Sequence, residues 1–268
     1  MIVHNIDPVF IDLGFFQLRW YSLSYIFGII LGWIYAKRII KYISEKNKLY
    51  SVRTSDFDDL IIYLILGIIL GGRLGYVLFY DYSYYIENIT EIFKLWKGGM
   101  SFHGGLLGVI ISTLVFSKQK NINFLNLTDI ISCVAPIGIF LGRIANFING
   151  ELVGKVSDLP WAIIFPKTGN MARHPSQIYE AALEGVFLFV IINYFATKKK
   201  FLFKQGYISG LFLMLYSILR MFAEIFREPD QHLGYFFNYL SMGTILSIIT
   251  LLAGFLIIFY SKNNEQNN

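Results

Sequence analysis

Seven apolar stretches run along this 268-residue chain, and several approach the roughly 20 residues that a helix needs to cross a bilayer. Lipid offers backbone groups no hydrogen bonds, so such a stretch must be helical or part of a closed barrel. The pattern predicts an all-α polytopic membrane protein with seven transmembrane helices, the third of them short for a full crossing. The predicted spans are Trp20–Ala36, Asp59–Tyr80, His103–Phe116, Leu127–Ile148, Gln177–Ala196, Gly206–Phe226 and Asn238–Tyr260.

Composition excludes two other classes of protein. Apolar residues make up 55% of the chain and charged residues only 15%, which excludes a disordered chain. One cysteine, Cys133, excludes a disulfide framework. No loop is long enough to fold by itself, so residues 1–268 are expected to form a single integral membrane domain.

The distribution of basic residues indicates the orientation. One set of loops, together with the C-terminal tail, carries 13 Lys and Arg residues, whereas the opposite loops carry 7 over a greater length. The more basic side comprises 37–58, 117–126, 197–205 and the tail after 260; the other comprises 1–19, 81–102, 149–176 and 227–237. The positive-inside rule then predicts an outer N-terminus and a cytoplasmic C-terminus. The net charge of +5 is thereby a topology signal, and no nucleic-acid partner is expected.

The predicted outer side carries an aromatic-rich arm and a short loop region. The aromatics lie mostly in 81–102 and again around 235–237; they include Tyr80, Tyr82, Tyr84, Tyr85, Phe93 and Trp96. Aromatic residues are common at membrane interfaces. The cluster is therefore interpreted either as an interfacial belt or as an amphipathic arm on the outer leaflet.

Arg143 lies in the segment GRIANFINGELVG, residues 142–154. Asn146 shares its helix face, because residues three apart are neighbours on a helix. Asn149 and Glu151 follow where the chain is expected to leave the membrane. An arginine at this depth either marks function or extends its charged end to the interface, and the surrounding polar groups favour function.

Arg220 lies in the sixth predicted span, with Tyr216 and Glu224 four residues to either side on the same face. It is interpreted as functional, or as one half of an internal ion pair with Glu224. Arg73, beside Gly72, fits packing, interfacial anchoring and function equally well.

His103 opens the third span, between glycines that leave room beside its ring. In the predicted topology Tyr21, His103, Arg143 and Arg220 lie at similar depth on the outer side. They are expected to line one cavity that opens to the outer leaflet.

Arginines in an apolar cavity suit an anion, because guanidinium groups match phosphate oxygens. At this depth the simplest anion is a phospholipid head group, and a histidine could exchange a proton near neutral pH. The sequence contains no G-x-S-x-G elbow, and no zinc or phosphate-binding motif. A reaction without metal or cofactor is expected.

Several segments together resemble the prolipoprotein diacylglyceryl transferase family. GRIANFINGELVG resembles the family signature. Six further segments resemble the family in the same order: RWYSLSY (19–25), GGRLGYVLFY (71–80), GGMSFHGGLLGVI (98–110), RHPSQIYEAALEG (173–185), FREPD (226–230) and YLSMGTILS (239–247).

The resemblance implies a fold and a reaction in the bacterial cytoplasmic (inner) membrane. The family is a seven-helix bundle that transfers a diacylglyceryl group from phosphatidylglycerol to the lipobox cysteine of a preprolipoprotein. A thioether forms and glycerol phosphate leaves, as the first step of lipoprotein maturation. The implied partners are phosphatidylglycerol, the lipobox peptide and membrane lipids.

The resemblance also implies residue roles. Arg143 would bind the lipid phosphate, Arg220 would stabilise charge on the departing phosphate, and His103 would be the base. Other residues are expected to line or support the substrate site: Tyr21, Arg73, Asn146, Asn149, Glu151, Gly154, Tyr216 and Glu224.

Two alternatives remain at this point. Another membrane enzyme of phospholipid head groups, such as a phosphatase or head-group transferase, would use the same arginines without a peptide substrate. A transporter or lipid scaffold would need access from both sides, whereas these polar groups cluster at one.

Overall fold

The computed structural model describes residues 2–14, 17–47, 50–95, 98–228, 235–236 and 240–266. Long helices dominate these ranges. The α-helices are α1 (Trp20–Lys46), α2 (Thr54–Phe79), α3 (Tyr82–Glu87), α4 (Phe102–Lys120), α5 (Phe124–Asn149), α6 (Ser176–Glu180), α7 (Leu188–Thr197), α8 (Tyr207–Glu224) and α9 (Met242–Gln266). A π-helical segment, Ala181–Phe187, joins α6 to α7, so that Ser176–Thr197 is one continuous helix.

Short strands, which the sequence analysis does not predict, lie between these helices. They are β1 (Ile2–Val3), β2 (Val9–Asp12), β3 (Gln17–Arg19), β4 (Ile163–Ile164), β5 (Ala172–Arg173), β6 (Tyr235–Phe236) and β7 (Leu240–Ser241). β1 pairs in parallel with β4, which pairs antiparallel with β5; β2 pairs with β3 and β6 with β7, both antiparallel. Each has two to four residues, too few for an alternating pattern to reveal.

Six helices in the described chain are long and apolar enough to cross a membrane. This confirms a mostly helical, polytopic membrane protein. The missing member is α4, because His103 and glycines open it and Lys118 to Lys120 close it, leaving a short apolar centre. The seventh crossing therefore stays a prediction. The first span ends later than predicted, at Lys46 instead of Ala36, because helical winding continues through the basic residues that follow the apolar stretch.

The described residues pack as two compact units, 37–128 and the combination of 1–36 with 129–268. In the first, glycines let α2 and α4 approach closely, as is common between helices in lipid. A Cβ added to Gly75 would lie 2.7 Å from the Cα of Gly104, and one added to Gly67 would lie 2.5 Å from the Gly108 carbonyl oxygen. Both distances are too short for a side chain.

In the second unit, a buried carboxylate holds the first turn of α8 against α5. Asp129 accepts hydrogen bonds from the backbone N–H of Gly206 and Ser209, both at 2.7 Å, and from the Ser209 hydroxyl at 2.6 Å. Gly206 has φ +82°, which glycine adopts without strain. Asp129 thus satisfies N–H groups that the start of a helix leaves unpaired. It also fixes the first turn of α8 beside Asp129 of α5.

Candidate active site

A cluster of buried charges joins α5, α8 and the helix 176–197. Both carboxylate oxygens of Glu180 are engaged: Oε2 lies 2.9 Å from Arg143 Nη1, and Oε1 lies 2.8 Å from Arg220 Nη1. Glu184, one turn further, pairs with Arg143 Nη2 at 3.0 Å and with Arg220 Nη1 at 3.5 Å. The two arginines therefore share the same pair of glutamates.

Two more charged residues complete the cluster. Glu224 pairs with Arg220 Nη2 at 2.7 Å, the i,i+4 contact that the sequence spacing predicts. Arg227, just beyond α8, reaches Glu180 Oε1 at 3.3 Å. Three arginines thus balance three glutamates, which is how charges are tolerated in an apolar interior.

Helix register explains why the two arginines meet. Arg143 follows Asp129 by 14 residues, and Arg220 follows Gly206 by 14 residues. At 1.5 Å per residue, each arginine lies about 21 Å along its helix from the Asp129 contact. Because that contact aligns α5 with α8, both arginines reach the level of Glu180.

The glutamates are more deeply buried than the arginines. The side chains of Glu180 and Glu184 are fully buried, whereas 17% of Arg143 and 11% of Arg220 remain accessible. A guanidinium group has five N–H donors. The carboxylates behind them fix the orientation of both groups while their accessible edges can meet an anion.

The end of α5 contributes a polar network beside this cluster. Asn146, one turn after Arg143, donates through Nδ2 to Glu151 Oε1 at 2.7 Å, and Asn149 Nδ2 reaches the same oxygen at 3.4 Å. The backbone of Glu151 in turn accepts a 2.6 Å bond from Gln177 Nε2. The network thereby returns to the helix that carries Glu180.

Gly154 lies where the segment 150–176 crosses the end of α8. Its N–H donates to the His174 carbonyl at 3.1 Å, and a Cβ here would lie 2.5 Å from that oxygen and 2.7 Å from the Phe226 carbonyl. Only glycine fits between these two backbones. Its contribution to the site is therefore through the path of the backbone.

Tyrosines from α1 and α8 lie near the same charges. The Tyr25 hydroxyl is 3.4 Å from that of Tyr21, and Tyr25 interacts electrostatically with Arg143 and Glu151. Tyr216 interacts electrostatically with Glu184 and both predicted arginines. The structure therefore gathers most of the predicted residues in the unit that contains Arg143.

Arg73 and His103 belong to the other unit, residues 37–128. Arg73, buried in α2, donates to four backbone carbonyls: Glu91 at 2.6 Å, Ile92 at 2.8 Å, Gly98 at 2.5 Å and Gly99 at 3.1 Å. These contacts hold residues 91–92 and 98–99 against α2. His103 is exposed in the first turn of α4, where the Ser101 hydroxyl accepts a bond from Gly104 N–H. Substrate binding by Arg73 and proton transfer by His103 stay predictions.

Sequence reasoning missed Glu180, Glu184 and Arg227. A signal was present, because two acidic residues four apart within an apolar span need cationic partners at the same depth. Some predicted features fall outside the described residues: Trp96 of the arm, Phe237, and Pro229 and Asp230 of FREPD.

Comparison with known proteins decides the family. The family model described as prolipoprotein diacylglyceryl transferase matches residues 8–260. The chain belongs to the prolipoprotein diacylglyceryl transferase family. The match includes every residue of the Arg–Glu cluster.

Relatives of similar length agree. A phosphatidylglycerol–prolipoprotein diacylglyceryl transferase of Rickettsia canadensis is 51% identical over 97% of this chain and 99% of its own length. A protein of the same name from Rickettsia felis is 50% identical over 98% and 99%, and one from Rhizobium meliloti is 46% identical over 93% and 90%. The chain thus spans nearly the full length of these transferases.

Proposed function

We propose that this chain transfers the diacylglyceryl group of phosphatidylglycerol to the lipobox cysteine of a preprolipoprotein. Family membership and the names of the relatives support this activity. The observation that carries the mechanism is the pairing of Arg143 and Arg220 on shared, fully buried glutamates. Such guanidinium groups suit the phosphate of a lipid head group.

In this reaction the cysteine sulfur attacks the glycerol carbon that bears the phosphate ester. The C–S bond forms, the C–O bond breaks, and its electron pair leaves with glycerol phosphate. Negative charge grows on the phosphate oxygens, where preorganised donors lower the barrier most. Arg143 holds the phosphate, and Arg220 stabilises the departing charge.

The thiol must also lose its proton, because thiolate is the nucleophile and a free thiol has a pKa near 8.5. His103 is the proposed base. The residues proposed to line or support the site are Tyr21, Arg73, Asn146, Asn149, Glu151, Gly154, Tyr216 and Glu224. We expect His103→Gln to slow transfer measurably without abolishing it. An unchanged rate would remove His103 from this role.

The proposed setting is the bacterial cytoplasmic membrane. Residues 1–268 form one integral domain of seven crossings, with α4 as the short third and the N-terminus outside. The charge cluster then lies towards the outer leaflet, the side on which the lipobox peptide arrives. The excess of basic residues in the opposite loops supports this orientation.

The test uses the purified full chain in micelles with phosphatidylglycerol and a synthetic peptide containing one lipobox cysteine. Mass spectrometry should find the peptide heavier by one diacylglyceryl group, with glycerol phosphate released. A peptide with serine in place of cysteine is the control and should stay unmodified. Diacylglycerol or an altered lipid without peptide modification would instead indicate a phosphatase or head-group transferase.

A further inference from the structure

Gln177 has a buried oxygen that no described residue satisfies. The residue is fully buried at the start of the helix 176–197. Its Nε2 donates to the Glu151 carbonyl oxygen at 2.6 Å, whereas its Oε1 has no hydrogen-bond donor among the described residues. Burying an acceptor without a partner costs free energy, so this oxygen needs a donor that the described residues do not supply.

The orientation of this amide follows from its neighbour. A backbone carbonyl only accepts hydrogen bonds, so the NH₂ end of Gln177 must face Glu151. Rotating the amide by 180° would bring two oxygens together. Oε1 therefore faces away from Glu151.

Gln177 belongs to a closed ring of neighbouring residues that includes Arg143 of the proposed phosphate site. Gln177 and Glu180 are three residues apart and share a helix face. Glu180 pairs with Arg143, Asn146 follows Arg143 by one turn, and Asn146 contacts Glu151, to which Gln177 binds. Gln177 is thereby linked to Arg143 through Glu180 on one side and through Glu151 and Asn146 on the other.

A second unmatched acceptor adjoins the same ring. Asn149 Oδ1 is also buried and has no donor among the described residues, while its Nδ2 points to Glu151 Oε1. A group that donates two hydrogen bonds would satisfy both acceptor oxygens. The free glycerol of a phosphatidylglycerol head group carries two hydroxyls next to its phosphate.

We propose that Gln177, together with Asn149, recognises the hydroxyls of the head-group glycerol and so determines lipid specificity. This inference rests on the proposed transferase function. Arg143 and Arg220 would bind any phosphodiester, whereas Gln177 recognises the alcohol that is esterified to the phosphate. Lipids with the same phosphate but no head-group hydroxyl should therefore be poor substrates, because they leave Gln177 Oε1 and Asn149 Oδ1 unpaired.

The experiment compares phosphatidylglycerol with phosphatidylpropanol, which lacks both head-group hydroxyls, in the peptide transfer assay with the full chain. Gln177→Met keeps the side-chain length but removes both the Oε1 acceptor and the Nε2 donor that binds the Glu151 carbonyl. We expect kcat/KM for phosphatidylglycerol to fall about tenfold, the value of one hydrogen bond, mainly through KM. The loss of the Glu151 contact affects both lipids, whereas only phosphatidylglycerol has hydroxyls whose hydrogen bond can be lost. The preference for phosphatidylglycerol over phosphatidylpropanol should therefore fall about tenfold.

Ser176→Ala is the matched control. The Ser176 hydroxyl donates to the Leu152 carbonyl at 3.0 Å, so this variant also removes a side-chain bond from the same helix start to the same loop. It should leave the preference between the two lipids unchanged. If Ser176→Ala reduces the preference as strongly as Gln177→Met, Gln177 acts through the loop and the proposal is wrong.

Two further outcomes separate this inference from the proposed function. Wild-type protein that modifies no peptide contradicts the transferase function itself. If the wild type transfers but Gln177→Met reduces the rate equally with both lipids, only the role of Gln177 is contradicted. The same holds if Gln177→Met keeps the full preference for phosphatidylglycerol. Asn149→Ala applies the same comparison at the second acceptor, so a folding defect of Gln177→Met would not protect the proposal.

Discussion

Arg73 in the unit 37–128 is buried, and Arg143 and Arg220 in the other unit are largely buried. The two kinds of arginine have different partners. Four of the five N–H donors of Arg73 bind backbone carbonyls. Arg143 and Arg220 are paired with carboxylates and keep an accessible edge. Carbonyl partners fix a path of the main chain, whereas carboxylate partners fix the direction of a charge.

This difference matters for an anionic substrate. A guanidinium surrounded by carbonyls has one N–H left to offer, which is too few for a bidentate contact with phosphate. A guanidinium held from behind by buried glutamates is oriented before the substrate arrives, so little reorganisation is needed. We therefore expect substitutions of the two kinds of arginine to affect different properties of the protein.

The largest effect is expected at Arg143 and Arg220. Replacing either with alanine should abolish detectable transfer. Replacing either with lysine, which keeps the charge but loses the planar fork, should lower the rate on the order of 10²–10³-fold. Arg73→Lys is the control and should retain transfer within about tenfold, because an ammonium group still donates to carbonyls. If the peptide assay gives equal rates for the three lysine variants, the proposed difference between Arg73 and the pair Arg143 and Arg220 is wrong.

The next effect concerns the glutamate that three arginines share. Glu180→Gln preserves shape but removes the charge that faces Arg143, Arg220 and Arg227. Breaking a buried pair in this way typically costs about 3–5 kcal/mol, so the thermal midpoint in detergent should fall clearly.

Glu228→Gln is the matched control for this prediction. Glu228 pairs with Arg173 at 3.0 Å, yet its side chain is 45% exposed, and exposed pairs contribute about 0–1 kcal/mol. Its thermal midpoint should stay close to that of the wild type. If the thermal midpoint falls equally in the two variants, the buried cluster contributes no more to stability than the exposed pair.

A smaller, local effect is expected at Arg73. Arg73→Met should release residues 91–92 and 98–99 from α2. The backbone amide exchange of residues 82–95 and 98–99 should rise by at least about tenfold, because local opening then breaks fewer hydrogen bonds. Lys94→Met is the control, since its 2.5 Å pair with Glu91 is partly exposed. Unchanged protection of residues 82–95 and 98–99 in Arg73→Met would contradict an anchoring role.

The partners of these three arginines differ in how well they can be predicted from the sequence. Apolar length predicts seven spans, six of which are confirmed as helices long enough to cross a membrane, and i,i+4 spacing predicts the Arg220–Glu224 pair. Both predictions depend on residues near each other along the chain. The partners of Arg73 could not be predicted, since every residue has a carbonyl and none is distinctive. The sharing of Glu180 by Arg143 and Arg220 depends on which helices pack together, which a single sequence does not encode locally.

The smallest effect concerns His174, a basic side chain with a hydroxyl as its partner. Its Nδ1 lies 3.2 Å from the Tyr179 hydroxyl. Burial lowers the pKa of His174 from its ordinary value, and the positive charge of Lys155 lowers it further. The folded protein thus favours neutral His174, in contrast to the arginines, whose glutamates compensate their charge.

The sign of the pH dependence follows. Below the unfolded pKa of about 6.5, the unfolded chain binds a proton that the folded chain resists. The stability from neutral His174 is complete above that pH and is lost as the pH falls. From about pH 7.5 to about pH 5.5, the thermal midpoint should fall more in the wild type than in His174→Gln, which cannot titrate. Parallel pH profiles of the two proteins would mean that His174 is protonated as readily in the folded state, so that burial without a carboxylate partner has no consequence there.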